Sequence, residues 1–183
     1  FQQAKVSVFV YNIEGKIVFY NRPMNPKLFN TFRAYGEAVD QRSSGPALAK
    51  EYGALASITR SVNINLDDFP HTGGCKMTGD KIPAVAISTN DAEKLSKSLL
   101  TSPNLLVNIK VEAEDIVTNT YNLIADLKGS EHPEEYIVVG GHLDAWHNTQ
   151  GAQDDGIGCL QSTEVLRNFK TLGINNKRTI RVI

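Results

Sequence analysis

The sequence predicts an α/β protein in two parts: a domain of mixed strands and helices, then the first strands and helix of a second α/β sheet. Three observations carry this. Short β-branched apolar runs alternate with stretches of helical periodicity along the chain. The composition shifts near residues 112–118, which divides 1–114 from 115–183. Residues 140–158, GGHLDAWHNTQGAQDDGIG, set His142, Asp144, Asp154 and Asp155 among glycines between a predicted strand and a predicted helix. At about 100–200 residues per domain, a chain of this length holds one complete domain and the beginning of another.

In chain order, Val6–Val10 and Lys16–Tyr20 read as strands joined by a turn at Gly15. Residues 21–45 are broken by Pro23, Pro26, Gly36 and Gly45 and read as loop. Pro46 to Tyr52 fits a short helix that begins on proline and stops before Gly53. Ala54–Val62 reads as a strand and Leu66–Lys81 as a polar loop. Ala84–Ser88 is a short strand, after which Asn90 and Glu93 suggest a capping-box start for a helix through Leu100. Leu105–Val111 is a further predicted strand.

Beyond the boundary, Thr118–Leu127 and Glu135–Gly141 read as strands. Tyr136-Ile137-Val138-Val139 is apolar and β-branched enough to predict a buried one. The next segment repeats Cys159, Leu160, Thr163, Leu166 and Phe169 at intervals of three or four, with Gln161, Glu164, Arg167 and Lys170 opposite. That pattern predicts an amphipathic helix over 157–172. Gly173 stops it, and Thr179–Ile183 is the last predicted strand.

The glycine-rich stretch carries the chemistry. A histidine at the carboxyl end of a strand, followed by carboxylates at a helix start, lies where open α/β sheets build active sites. Imidazole and carboxylate oxygen are the ligands zinc takes when no thiolate is offered. His142 can give one ring nitrogen to a metal, and Asp144 can accept the other ring N–H and fix the tautomer. Asp154 or Asp155 can supply the carboxylate. The glycines at 140, 141, 151, 156 and 158 let main chain pass close to such a cluster. His71, His132 and His147 read as residues of polar loops.

Composition narrows the partners. Hydrophobic residues make up 41% and charged residues 21%, an ordinary globular balance. With 19 Lys+Arg against 20 Asp+Glu, no basic field recruits nucleic acid or anionic lipid. No apolar run approaches the ~18 residues that span a bilayer, and no signal peptide is visible. Cys75 and Cys159 lie in different parts of the chain and read as free thiols.

GGHLDAW, then GAQDDGIG, then a helix and the strand RTIRVI, resemble the M28 family of zinc peptidases, and within it the carboxypeptidase Q group. GKIVFYNRPM, GALASITRSV, PHTG and KIPAVAISTNDAEKLS are similar to that group's protease-associated (PA) domain. The likeness runs from about Gly15 to the end. It implies a PA-type domain over 1–114 and the N-terminal part of a zinc-peptidase sheet over 115–183. It implies that His142 is a terminal zinc ligand, Asp154 a carboxylate shared between two zincs, Asp144 the catalytic-site residue orienting His142, and Asp155 a supporting acid. Ala145 stands where serine is common, and His147 where the group carries an acid.

The activity so implied is that of a co-catalytic metallo-exopeptidase acting on peptides or dipeptides. The protein would be secreted or periplasmic, with no nucleic-acid or membrane partner and a homodimer left open. In the family a catalytic glutamate and further ligands come later in the sequence, so the expectation is a piece of a longer enzyme, inactive alone and holding zinc weakly or not at all. The resemblance also implies a cis Asp154–Asp155 bond in the whole enzyme. Without metal and later strands, Trp146–Gly156 is expected to rearrange. Two other readings follow from the same residues: a PA-bearing binding module of a non-catalytic M28 homologue, and an acyl-transfer enzyme of glutaminyl cyclase type, which lacks a PA insertion.

Overall fold

The computed structural model describes residues 14–71, 73–112, 114, 116–146 and 149–183. The chain divides into two compact units, Phe1–Ala113 and Glu114–Ile183. The predicted strand Val6–Val10 lies outside the described residues, as does His147.

The first unit is built on a parallel sheet of β1 (Ile17–Tyr20), β2 (Ala56–Arg60) and β3 (Ala84–Ile87), in that order. Ile17 pairs with Ala56, and Ser57 with Ala84. All five residues of β2 are buried, as the central position demands. The segment between β1 and β2 holds three short helices: α1 (Thr31–Gly36) and α2 (Asp40–Ser43), where the sequence predicts loop, and α3 (Gly45–Glu51), where it predicts a helix from Pro46 to Tyr52. The Asn30 carboxamide caps α1 by accepting from Arg33 N at 3.0 Å. The buried side of these helices is Ala34, Ala38, Gln41 and Ala49, residues too small or polar to register as an apolar stripe. Met24, Val62, Ala34 and Ala38 form the core against which Leu28 packs. Gln41 is satisfied there, accepting from Arg22 N at 2.6 Å and donating to the carbonyls of Arg22 and Ala38.

Gly53, at φ +80°, turns the chain out of α3, and its carbonyl accepts from Gly15 N at 2.9 Å. The helix after β3, α4 (Thr89–Thr101), starts two residues earlier than the predicted capping box. Ser88 is its cap, the hydroxyl accepting from Asp91 N at 3.0 Å. Within the predicted loop Leu66–Lys81, Asp67 and His71 are tied down. Asp67 N donates to Thr89 Oγ1 at 2.8 Å, Asn63 Nδ2 donates to Asp67 Oδ2 at 2.6 Å, and His71 N donates to Ser61 Oγ at 2.7 Å. The predicted strand Leu105–Val111 is not one in the structure.

The second unit holds β4 (Ala125–Leu127), β5 (His132–Val139), α5 (Ile157–Thr171) and β6 (Arg178–Val182). The sheet order is β4-β6-β5, with β4 antiparallel and β5 parallel to β6. Only the last three residues of the predicted strand Thr118–Leu127 pair. β5 begins three residues before the predicted start, so His132 belongs to a strand and not to a loop. Tyr136, Ile137 and Val138 are each about half exposed, 50–57%, because β5 is an edge strand paired only with β6.

The predicted helix is present, but its buried side differs. Leu160 faces out, Ser162 is buried, and Leu166 and Phe169 are half-buried. Gly158, Ser162, Leu166 and Phe169 form the inward stripe, whose small first members allow close approach to the sheet. Gly173, at φ +63°, ends α5, with Ile174 N donating to Phe169 O at 3.0 Å.

Candidate metal centre

The site forms where β5 ends and α5 begins. Ile183 N donates to Val139 O at 3.2 Å and Gly141 N to Ile183 O at 3.3 Å, which extends the β5–β6 pairing to the residue before His142. The chain then loops out and returns through a single wide turn, Ala152–Gly156, closed by Gly156 N donating to Gly151 O at 2.8 Å. Gly151 adopts φ +65°, and a side chain there would also meet Ala145 Cβ at 2.6 Å, so this position requires glycine.

The return brings Asp154 to His142: Nε2 lies 2.9 Å from Asp154 Oδ1. The other ring nitrogen faces Asp144. Nδ1–H donates to the Asp144 main-chain carbonyl at 2.8 Å, while the Asp144 carboxylate stands at 3.3 Å. The sequence suggests the carboxylate as the group that fixes the tautomer; the carbonyl is the nearer acceptor. Asp155 is turned away from this pair, its carboxylate against the main chain of Gly141 and Gly158. The structure thus brings together His142, Asp144 and Asp154, with Asp155 directly behind them. Cys159 and Cys75 are free thiols, and Cys159 Sγ–H donates to His142 O at 3.3 Å.

The expected rearrangement of Trp146–Gly156 does not occur in the described residues. The Asp154–Asp155 peptide bond is cis and the imidazole and carboxylate are already in contact. Local ties hold the stretch: Thr149 N to Trp146 O at 2.9 Å, the Gly156–Gly151 closure, and the thiol of Cys159 on the carbonyl of His142.

Two acceptors facing the two ring nitrogens favour the imidazolium form. The Asp144 carbonyl first, and the Asp154 carboxylate second, raise the His142 pKa above its ordinary value. With Nδ1–H committed to Asp144, the neutral ring turns its Nε2 lone pair towards a carboxylate oxygen, an arrangement that a cation relieves. Two ligands at about 2.05 Å from zinc and in tetrahedral array stand ~3.3 Å apart. The observed 2.9 Å is close to that spacing. An imidazole and a carboxylate, both exposed to solvent, fit a zinc-type donor set.

A second group of potential ligands, His132, Glu134 and Glu135, has its ligand atoms within 4.8 Å of one another. It lies at the opposite end of β5, where the strand pairing is irregular between His132 and Tyr136. Arg178 already pairs with Glu135 there, so the local negative charge is answered by the protein itself. Its HPEE spacing gave no metal signal in the sequence.

Residues 122–183 match the family description "Peptidase family M28". Over 173 residues the chain is 40% identical to carboxypeptidase Q of Xenopus laevis, covering 93% of this chain and 35% of that protein. It is 37% identical over 172 residues to carboxypeptidase Q of Homo sapiens, with 92% and 35% covered. A crystal structure of a peptidase M28 precursor from Shewanella amazonensis SB2B is similar at a TM-score of 0.75 and 31% identity, covering 93% of this chain and 39% of that one. The chain therefore spans about a third of the length of the curated relatives it matches.

Proposed function

We propose, from the match of residues 122–183 to peptidase family M28, that the whole protein is a co-catalytic zinc exopeptidase that trims short peptides or dipeptides. In this reading 1–114 is a PA domain and 115–183 opens the catalytic domain. A secreted or periplasmic location belongs to the same reading; among the described residues no helix is long and apolar enough to cross a membrane.

The observation that carries the proposal is the contact of His142 Nε2 with Asp154 Oδ1 inside the matched span. His142 would hold zinc through Nε2 and Asp154 through its carboxylate, which can bridge two ions where an imidazole cannot. Asp144 holds the ring by accepting the Nδ1 proton, so the lone pair stays on Nε2. Asp155 supports the turn from behind. When bound, zinc supplies a Lewis acid that lowers the pKa of a bound water towards about 7 and polarises a peptide carbonyl. The chain's own residues do the rest of what falls to this region: they present one nitrogen just beyond β5 and one oxygen from the turn before α5, 2.9 Å apart.

One imidazole and one carboxylate fall short of the roughly three protein ligands of a catalytic zinc. The 183 residues by themselves should bind zinc weakly and leave dipeptides intact. Isothermal titration that finds one tight zinc site on this chain, or dipeptide hydrolysis that copurifies with it, contradicts this. In the whole protein His142→Ala should abolish peptide hydrolysis, and near-normal turnover in that variant removes His142 from the site.

A further inference from the structure

Asp154 and Asp155 are adjacent, yet their side chains meet different surroundings, and the surroundings of Asp155 are two glycines. A Cβ built on Gly158 would overlap the Asp155 carboxylate, with Cγ at 2.6 Å. A Cβ built on Gly141 would stand 2.8 Å from Asp155 Oδ2 and 2.7 Å from Cys159 N. Neither glycine has a positive φ, so the demand at both is for space and not for a left-handed backbone. Gly141 precedes His142 directly, and Asp155 follows Asp154 directly.

We propose that Gly141 and Gly158 are positioning residues: together they form a seat for the Asp155 carboxylate that sets the separation of His142 from Asp154. The seat joins the carboxyl end of β5 to the first turn of α5. Cys159 lies on the same joint, its main-chain nitrogen beside Gly141 and its thiol donating to His142 O at 3.3 Å. A methyl group on Gly158 occupies the place of the carboxylate. Aspartate has too short a side chain to reach around it, so Asp155 must leave the seat and take Asp154 with it. A methyl group on Gly141 instead meets the main chain of α5, which forces the helix start off the strand end that carries His142.

The inference rests on the reading of His142 and Asp154 as ligands, and its test is separable from that reading. Long-range 1H–15N spectra of the His142 ring in the metal-free chain report both ring nitrogens. Gly158→Ala and Gly141→Ala should each shift the Nε2 signal away from its paired position while the amide signals of β4, β5 and β6 stay in place. The Zn2+ concentration needed to move the ring signals should rise about tenfold or more, the range seen when groups supporting a ligand are lost. In an Asp155→Gly background, Gly158→Ala should be silent, because no carboxylate remains to be displaced.

Unchanged ring signals in both alanine variants overturn the proposal. So does a further loss caused by Gly158→Ala when Asp155 is already glycine, which keeps the test decisive even if the single variant fails to fold. A Zn2+ titration that leaves the wild-type ring signals unmoved overturns the metal reading instead, and does so whatever the glycine variants show.

Discussion

Nε2 of His142 and Oδ1 of Asp154 lie 2.9 Å apart although the two residues are 12 positions apart in the chain. The contact has a direct consequence in pH. The folded state raises the His142 pKa, first through the Asp144 carbonyl and then through Asp154. A raised folded value means that the pairing stabilises the fold fully below the unfolded pKa of about 6.5 and that this contribution fades as pH rises through the folded value. Proton and metal compete for Nε2, so zinc binding should strengthen over the same rise. NMR titration should give His142 a midpoint above that of an unstructured histidine, and Asp154→Asn should bring it down. A wild-type midpoint at or below the unstructured value refutes the pairing.

Asp144 offers His142 two acceptors, and the nearer is the main-chain carbonyl at 2.8 Å. Asp144→Ala removes the carboxylate at 3.3 Å but keeps that carbonyl. In the whole protein the variant should therefore lose zinc affinity at the low end of the ~10–100-fold range for such supporting groups, while His142→Ala loses the site. Competition against a chromophoric chelator measures both. Equal losses would show that the carboxylate is itself a ligand.

Much of this was legible in the sequence, and the failures have physical causes. His142, Asp144 and an acid at Asp154 or Asp155 stand out as candidates because imidazole and carboxylate on a short glycine-flanked segment are a local signal, and the family resemblance supplies the choice of Asp154. β2, β3, α4, α5 and β6 could be placed because periodicity is local as well. Helices α1 and α2 could not, since their buried residues are Ala34, Ala38 and Gln41 rather than large apolar ones, although the 34–38–41 spacing is helical. Leu105–Val111 and most of Thr118–Leu127 have strand-like composition but no pairing partner among the described residues, and composition cannot supply one. The glycine seat under Asp155 was readable only as a glycine-rich stretch, because which glycine faces which carboxylate depends on how the turn closes.

Ser88, and not Asn90, caps α4. Its hydroxyl accepts from Asp91 N at 3.0 Å with the extended backbone of a cap residue, φ −58° and ψ 160°. Ser88→Ala should lower the stability of the first unit by about 1 kcal/mol. Asn90→Ala should cost less, since the side chain only donates to Asp68 Oδ1 on the exposed surface. Urea denaturation of the two variants compares them. A larger loss at Asn90 would restore the start of the helix that the sequence suggested.

Arg60 is the one charged side chain among the buried residues of the described chain, and its answer is Glu93 on α4. Nη1 donates to Glu93 Oε1 at 2.6 Å and to Asn21 Oδ1 at 3.3 Å, while Nε is buried without a partner. The two partners are unequal, with side-chain exposures of 6% for Arg60 and 45% for Glu93. Remove Glu93, and a buried guanidinium loses its counter-charge with no route to solvent. Remove Arg60, and Glu93 can turn to water. Glu93→Ala should therefore destabilise the first unit by about 1.5–3 kcal/mol, the range for a lost hydrogen bond to a charged group. Arg60→Met, which keeps the buried stem and drops the charge, should cost less, as is often found when a buried ion is replaced by an apolar residue of similar volume. Chemical denaturation of both variants tests the order, and a greater loss for Arg60→Met would show that the guanidinium and its hydrogen bonds to Glu93 and Asn21 stabilise the fold by more than burying its charge costs.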